Sequence, residues 1–154
     1  MEPISLEGLS ENALLLIDSA PIIYVLEDHP ELGAVFRPVF EAHDEGLVHL
    51  AVTTVTLAEV LNGPLSARDE VLTERYRATL KSWFVVDLDA EIAESAARLR
   101  AACKLKPADA VQAASALAIG ADGLVTHGRD FSALRDLRVL GVERKGPPSS
   151  RRSK

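Results

Sequence analysis

The strongest constraint on this chain is Leu14-Leu15-Leu16-Ile17, an unbroken apolar run that stops at Asp18 and Ser19. A strand that is apolar on both faces must be covered on both faces, which is the habit of parallel sheets in α/β folds. Such sheets place their ligands and chemistry at the carboxyl ends of the strands. Asp18 therefore stands where a site would form, provided that other chemically useful side chains reach the same edge.

The segments that follow alternate between helix and strand. Ala20 to Glu27 reads as a short buried helix, with Pro21 acceptable in its first turn. Residues 30–45 place Leu32, Val35, Phe36, Val39 and Phe40 at helical spacing, with a kink expected at Pro38 and a C-cap at Gly46. Leu47 to Val52 is a second strand. Thr53-Thr54 offers a cap to a helix from about Val55 to Leu61, which Asn62-Gly63-Pro64 should stop. Ser66 and Asp69 resemble a capping box for a helix reaching Ser82. Phe84 to Asp87 makes a third strand, and Asp89 caps a helix in which Ile92, Ala96, Leu99 and Cys103 recur on one face. Pro107 and Gly120 bracket an alanine-rich helix that carries Asp109 in its first turn. Gly123 to Thr126 is a fourth strand, Arg129 to Leu134 a turn or short helix, and Leu137 to Val142 a fifth strand. This alternation makes a parallel sheet with right-handed crossovers the default architecture.

The 154 residues fit one domain. Residues 1–12 lack periodicity and read as a loosely held lead-in, residues 13–142 as the folded unit, and residues 143–154 as a basic, flexible tail. The single cysteine, Cys103, excludes an internal disulfide and points to a structurally buried thiol in a reducing cytoplasm. No apolar stretch approaches the ~20 residues of a membrane span. Glu2, Glu7 and Glu11, with no Lys or Arg before Arg37, argue against a secretory signal.

The net charge of -6 hides a gradient, with ten acids and one base in residues 1–50 but three acids and eight bases in residues 129–154. A uniformly basic nucleic-acid binder is thereby excluded. The acidic half could hold cations and the basic end could touch phosphates or an acidic partner; the plain alternative is that both are solvated faces.

Four carboxylates fall where strand ends and helix starts should converge: Asp18, Glu59, Asp109 and Asp130. Each also has an ordinary explanation. Asp18 could form a turn, Asp109 could answer a helix dipole, Asp130 could cap a helix beginning at Phe131, and Glu59 could face solvent. Glu59 is the least comfortable, because Val55, Leu57, Ala58, Val60 and Leu61 surround it and a buried charge there needs a counter-charge or a metal. Clustered carboxylates repel one another, and Mg²⁺ or Mn²⁺ removes that cost. The implied chemistry is metal-assisted attack of water on a phosphodiester. Competing sites are weak. His29, His43, His49 and His127 show no zinc-type spacing with Cys103, and neither a Gly-rich phosphate loop nor a Ser-centred nucleophile elbow is present.

Four motifs in order, Asp18-Ser19 after a strand, Thr56-Leu57-Ala58-Glu59-Val60, Lys106-Pro107-Ala108-Asp109-Ala110, and Leu124-Val125-Thr126 followed by Arg129-Asp130-Phe131, resemble the PIN-domain nucleases. The likeness is strongest to VapC-type toxins of bacterial toxin-antitoxin pairs and covers about Leu14 to Leu140. The resemblance implies a three-layer α/β/α sandwich around a parallel sheet of about five strands. It also implies Mg²⁺- or Mn²⁺-dependent endoribonuclease activity, homodimerisation and inhibition by a small cognate antitoxin. Carried onto this chain, Asp18, Glu59 and Asp109 would be the metal-binding acids and Asp130 the fourth. Ser19 and Thr126 would support them through their hydroxyls, and Arg129 would steady the RNA backbone. Where relatives often have Asn-Asp after the strand-four Thr, this chain has His127-Gly128.

Two other classes stay open from the residues. One is an Asp-based phosphoryl-transfer domain, in which Asp87 after the third strand would be the acceptor of a receiver. That reading lacks the acidic pair before strand one, where Asn12-Ala13 stands. The other is an inactive PIN-like scaffold that only binds a protein partner.

Overall fold

The apolar run becomes β1 (Ala13–Ile17), the central strand of a five-stranded sheet in a computed structural model that describes residues 2–127, 131 and 134–141. The sheet adds β2 (Val48–Thr53), β3 (Phe84–Val86), β4 (Gly123–Val125) and β5 (Val139–Leu140) in the order β3-β2-β1-β4-β5. Every pairing is parallel, with Leu15 beside Leu50 on one side and beside Gly123 on the other. β1 divides its side chains between two cores, as the period of two demands. Leu15 and Ile17 join Phe36, Val39, Val60 and Leu80 on one face, whereas Leu16 joins Ile92, Ala110, Ala113 and Leu124 on the other.

Those cores are closed by helices in two outer layers. α1 (Ser19–Leu26), α2 (Leu32–Asp44), α3 (Thr54–Ser66) and α4 (Glu70–Lys81) supply the first, and α5 (Ala90–Cys103) and α6 (Pro107–Ala118) the second. The expected three-layer sandwich is what forms. Alanines at 110, 113, 114 and 116 are all buried, so α6 lies close against the sheet. Asp89 caps α5 by accepting from the Ile92 amide at 2.8 Å, and Gly120 takes a left-handed φ of 64° just beyond α6, as their sequence positions predicted. Pro38 lies inside α2.

Several expectations need correction. The Asn62-Gly63-Pro64 segment does not stop α3, which continues to Ser66. Pro64 is buried, and the helix it sits in packs on both α1 and α4, so tertiary contact offsets the single backbone bond that the proline forgoes. Ser66 therefore belongs to α3, and Asp69 alone caps α4, accepting from the Leu72 amide at 3.0 Å. The lead-in is anchored rather than loose. The Ile4 amide donates to the Val35 carbonyl at 2.9 Å, Arg138 donates to the Glu7 carbonyl at 2.7 Å, and Ile4, Leu6 and Leu9 pack on the core. Cys103 is half-buried rather than enclosed. Residues 128–130, 132–133 and 142–154 lie outside the described residues. That set includes Arg129, Asp130, most of the expected turn after β4 and the basic tail.

The topology also removes the receiver reading. In that fold β1 lies between β2 and β3, whereas here β3 is an edge strand that touches only β2. Asp87 therefore ends an edge strand, away from the centre of the sheet. Among the described residues, no helix is long and apolar enough to cross a membrane.

Gly141 follows β5 where a Cβ would lie 2.6 Å from the Thr126 carbonyl oxygen. Backbone cannot yield there as a flexible side chain would. Gly141→Ala is expected to cost about 1–3 kcal/mol through overpacking. Its melting temperature by circular dichroism should fall by several degrees, and an unchanged value would mean that the β4–β5 edge is soft.

Candidate active site

The sheet order reverses between β1 and β4, because the chain leaves β1 toward β2 on one side and passes from β4 to β5 on the other. That switch point opens a crevice at the carboxyl ends of the two strands. Asp18 follows β1 directly and Thr126 follows β4 directly, with the Asp18 amide donating to the Val125 carbonyl at 2.9 Å. Asp18 also caps α1, its Oδ1 accepting from the Ser19 amide at 2.8 Å.

Two further donors complete the hold on this carboxylate. Gln112 Nε2 reaches Oδ1 at 2.9 Å, and Thr126 Oγ1 reaches Oδ2 at 2.9 Å. Groups from α1, α6 and the end of β4 thus fix one half-buried side chain. Ser19, by contrast, serves Glu59 through its side chain.

Glu59 is not buried as its apolar neighbours implied. α3 turns Thr56 and Val60 into the core and leaves Glu59 open to solvent, over the crevice. Its carboxyl is nonetheless held above the usual carboxylate range. Partial loss of water is the largest cause, a hydrogen bond from the Ser19 side chain opposes it, and the negative charges of Asp18 and Asp109 push in the same direction as desolvation. Asp109 is half-buried in the first turn of α6, whose N-cap Lys106 makes no side-chain capping bond. The end of β1, α3 and the start of α6 therefore bring Asp18, Glu59 and Asp109 within electrostatic reach of one another.

The donor set is all oxygen, which suits a hard divalent ion such as Mg²⁺ or Mn²⁺ and not a thiolate- or imidazole-preferring one. The unrelieved repulsion at Glu59 is what such an ion would remove, so the residues present fit the group. Among the described residues, no three Asp, Glu, His or Cys side chains already close around one point as a finished metal cage. The arrangement is a set of coupled carboxylates over an open crevice. The fourth expected acid, Asp130, and Arg129 lie outside the described residues.

Sequence reasoning missed three residues of this site. Thr53, Thr56 and Gln112 are essentially inaccessible and hydrogen-bonded together behind Asp18. The available signal was a polar side chain inside an alanine helix, one turn beyond Asp109. At the rim, Tyr24 Oη lies 2.6 Å from His127 Nδ1, so the histidine that follows Thr126 is held by α1.

The sequence matches the family model of the PIN domain over residues 15–137. No curated protein sequence matches it significantly. Among solved structures, the fold is similar to VapBC2 from Rickettsia felis bound to a DNA fragment from their promoter, with a TM-score of 0.67 and 18% identity over 84% of this chain and 99% of that one. A toxin-antitoxin complex from Klebsiella pneumoniae gives a TM-score of 0.64 and 24% identity over 80% of this chain and 94% of that one. VapC20 of Mycobacterium tuberculosis, a sarcin-ricin loop cleaving toxin, gives 0.63 and 14% over 80% and 98% respectively. At these identities the likeness is one of fold.

The raised Glu59 carboxyl fixes the sign of a stability effect. An acid whose pKa is higher in the folded state makes folding less favourable as pH rises from the usual carboxylate range through the folded value. In chelator at neutral pH, Glu59→Gln should therefore melt above wild type, and the gap should close as the pH falls below that range. Thermal melts across pH test this, and a lower melting temperature at neutral pH would show that the Ser19 bond outweighs the repulsion.

Proposed function

Because the chain belongs to the PIN-domain family, we propose that it is a Mg²⁺- or Mn²⁺-dependent endoribonuclease acting as the toxin of a toxin-antitoxin pair. The observation that carries this reading is the electrostatic coupling of Asp18, Glu59 and Asp109 at the sheet's switch point. When bound, the ion supplies a water of lowered pKa and polarises a phosphoryl oxygen. Asp18, Glu59 and Asp109 would hold it, with Asp130 as a fourth acid.

The chain's own groups have distinct tasks in this reading. Thr126 and the Ser19 amide orient Asp18, and the Ser19 side chain steadies Glu59. Arg129 would contact the RNA backbone, a contact that positions substrate without reading its sequence. The acidic crevice repels phosphate until a cation is present, so ion and RNA should bind cooperatively. A small cognate antitoxin, a homodimer and a cytoplasmic setting complete the proposal. Support for the protein partner comes from similar structures described as VapBC2 and as a toxin-antitoxin complex.

Purified chain should cleave RNA with Mg²⁺ or Mn²⁺ and stop when chelator is added. Asp18→Asn and Asp109→Asn should each lower the rate by at least about 100-fold, beyond the 10–100-fold typical of a residue that only supports a ligand. Gel assays on several RNA substrates measure this. Unchanged cleavage in either variant would remove that residue from the site, and tight Mn²⁺ binding without cleavage of any RNA would favour a binding scaffold.

A further inference from the structure

Gln112 is 1% exposed, in a stretch of α6 whose other buried residues are the small side chains of Ala110, Ala113, Ala114, Ser115 and Ala116. An apolar side chain could fill that place without desolvating an amide. The carboxamide is instead fully engaged. Its Oε1 accepts from Thr53 Oγ1 at 2.8 Å, while its Nε2 donates to Thr56 Oγ1 at 2.8 Å and to Asp18 Oδ1 at 2.9 Å. The carboxylate dictates which way the amide faces, because the flipped form would set its oxygen against Asp18. Thr53 Oγ1 in turn accepts from the Thr56 amide at 3.1 Å, so the partner hydroxyls are themselves fixed.

The partners place this amide at a junction of the three elements that carry the acids. Gln112 lies three residues beyond Asp109 on α6, and Thr56 lies three residues before Glu59 on α3, so each is one turn from a carboxylate. The third partner is Asp18 itself. The bonds to that carboxylate divide unevenly between its two oxygens. Among the described residues, Oδ1 accepts from the Ser19 amide and Gln112, whereas Oδ2 accepts from Thr126 alone.

We infer that Gln112 is a positioning residue of the proposed metal centre: its carboxamide sets the spacing of Asp18, Glu59 and Asp109 and turns Asp18 so that Oδ2 meets the cation. This rests on the metal-dependent reading above. Gln112 touches neither ion nor substrate in it and acts through Asp18 and the α3–α6 contact. Ligand affinity should respond to its loss even where the fold survives, because groups that orient metal ligands typically govern affinity.

The test uses the full chain and two readouts. Gln112→Met keeps the length of the side chain and removes its donors and acceptor. Thr56→Val removes one partner, and Thr73→Val deletes a buried hydroxyl on α4 that bonds the Asp69 carbonyl instead. Calorimetry with Mn²⁺ alone, well below each melting temperature, should show the Kd rising about tenfold or more in Gln112→Met and by less in Thr56→Val. Thr73→Val should lose stability with no change in Kd. In chelator, a thermal double-mutant cycle of Asp18→Ala with Gln112→Met should be non-additive.

A folded Gln112→Met that binds Mn²⁺ as tightly as wild type overturns the inference, and so does strict additivity in chelator. If Gln112→Met fails to fold, unchanged Mn²⁺ affinity in Thr56→Val overturns it. Failure of the underlying reading looks different. Wild type would then bind no Mn²⁺ while the chelator cycle still showed coupling, which would support Gln112 as the holder of Asp18 and remove the metal.

Discussion

The carboxyl edge of this molecule depends on how one side chain, Asp18, is held. Its oxygens accept from the Ser19 amide, Gln112 and Thr126, which belong to α1, α6 and the end of β4. Those elements meet only when β1 lies between β2 and β4 and α6 is packed on the sheet. The geometry of the site is consequently a product of global folding. A loss of packing at α6 would reach Asp18 through Gln112 before it reached solvent.

The local physics of the fold was legible where neighbours in sequence decide the outcome. The apolar run of β1, the Asp89 cap, and Pro107 with Gly120 around α6 all behave as their residue types predict. The end of α3 was not legible. A proline forfeits one backbone bond, and whether the helix continues depends on what Pro64 is buried against, which is a property of α1 and α4. The lead-in was misread for the same reason, since the backbone partner that holds Ile4 is Val35, 31 residues on by subtraction of their numbers.

At the site, carboxylates could be nominated from their places at strand ends and helix starts, but their environments could not. Glu59 looked buried because its neighbours are apolar, yet α3 exposes it, and Leu57 and Leu61 beside it are only partly covered. Gln112 escaped notice for the opposite reason. A polar residue in an alanine-rich helix ordinarily marks a solvent face, and the partners of Gln112 are 94, 59 and 56 positions away in the chain. Periodicity reports which face a residue occupies; it carries no information about a hydrogen bond that closes across the sheet.

The contrast between Asp18 and Glu59 points to a division of labour. Asp18 is oriented by the folded protein itself, so in the proposed metal centre it would define where a cation sits at no further ordering cost. Glu59 is open to solvent and repelled by two neighbouring charges, so in the same proposal a cation would relieve it on arrival. Had both been fixed and buried, the repulsion would have weighed on the fold at every moment without an ion. Had both been open, binding an ion would have had to order both side chains at once. One fixed and one relieved carboxylate would let the fold tolerate the empty state while leaving most of the electrostatic gain to the proposed bound one. The buried Thr53–Thr56–Gln112 network joins the Ser19 amide and Thr126 in holding the fixed member, and an apolar core at the same place would fill the space but could not donate to a carboxylate.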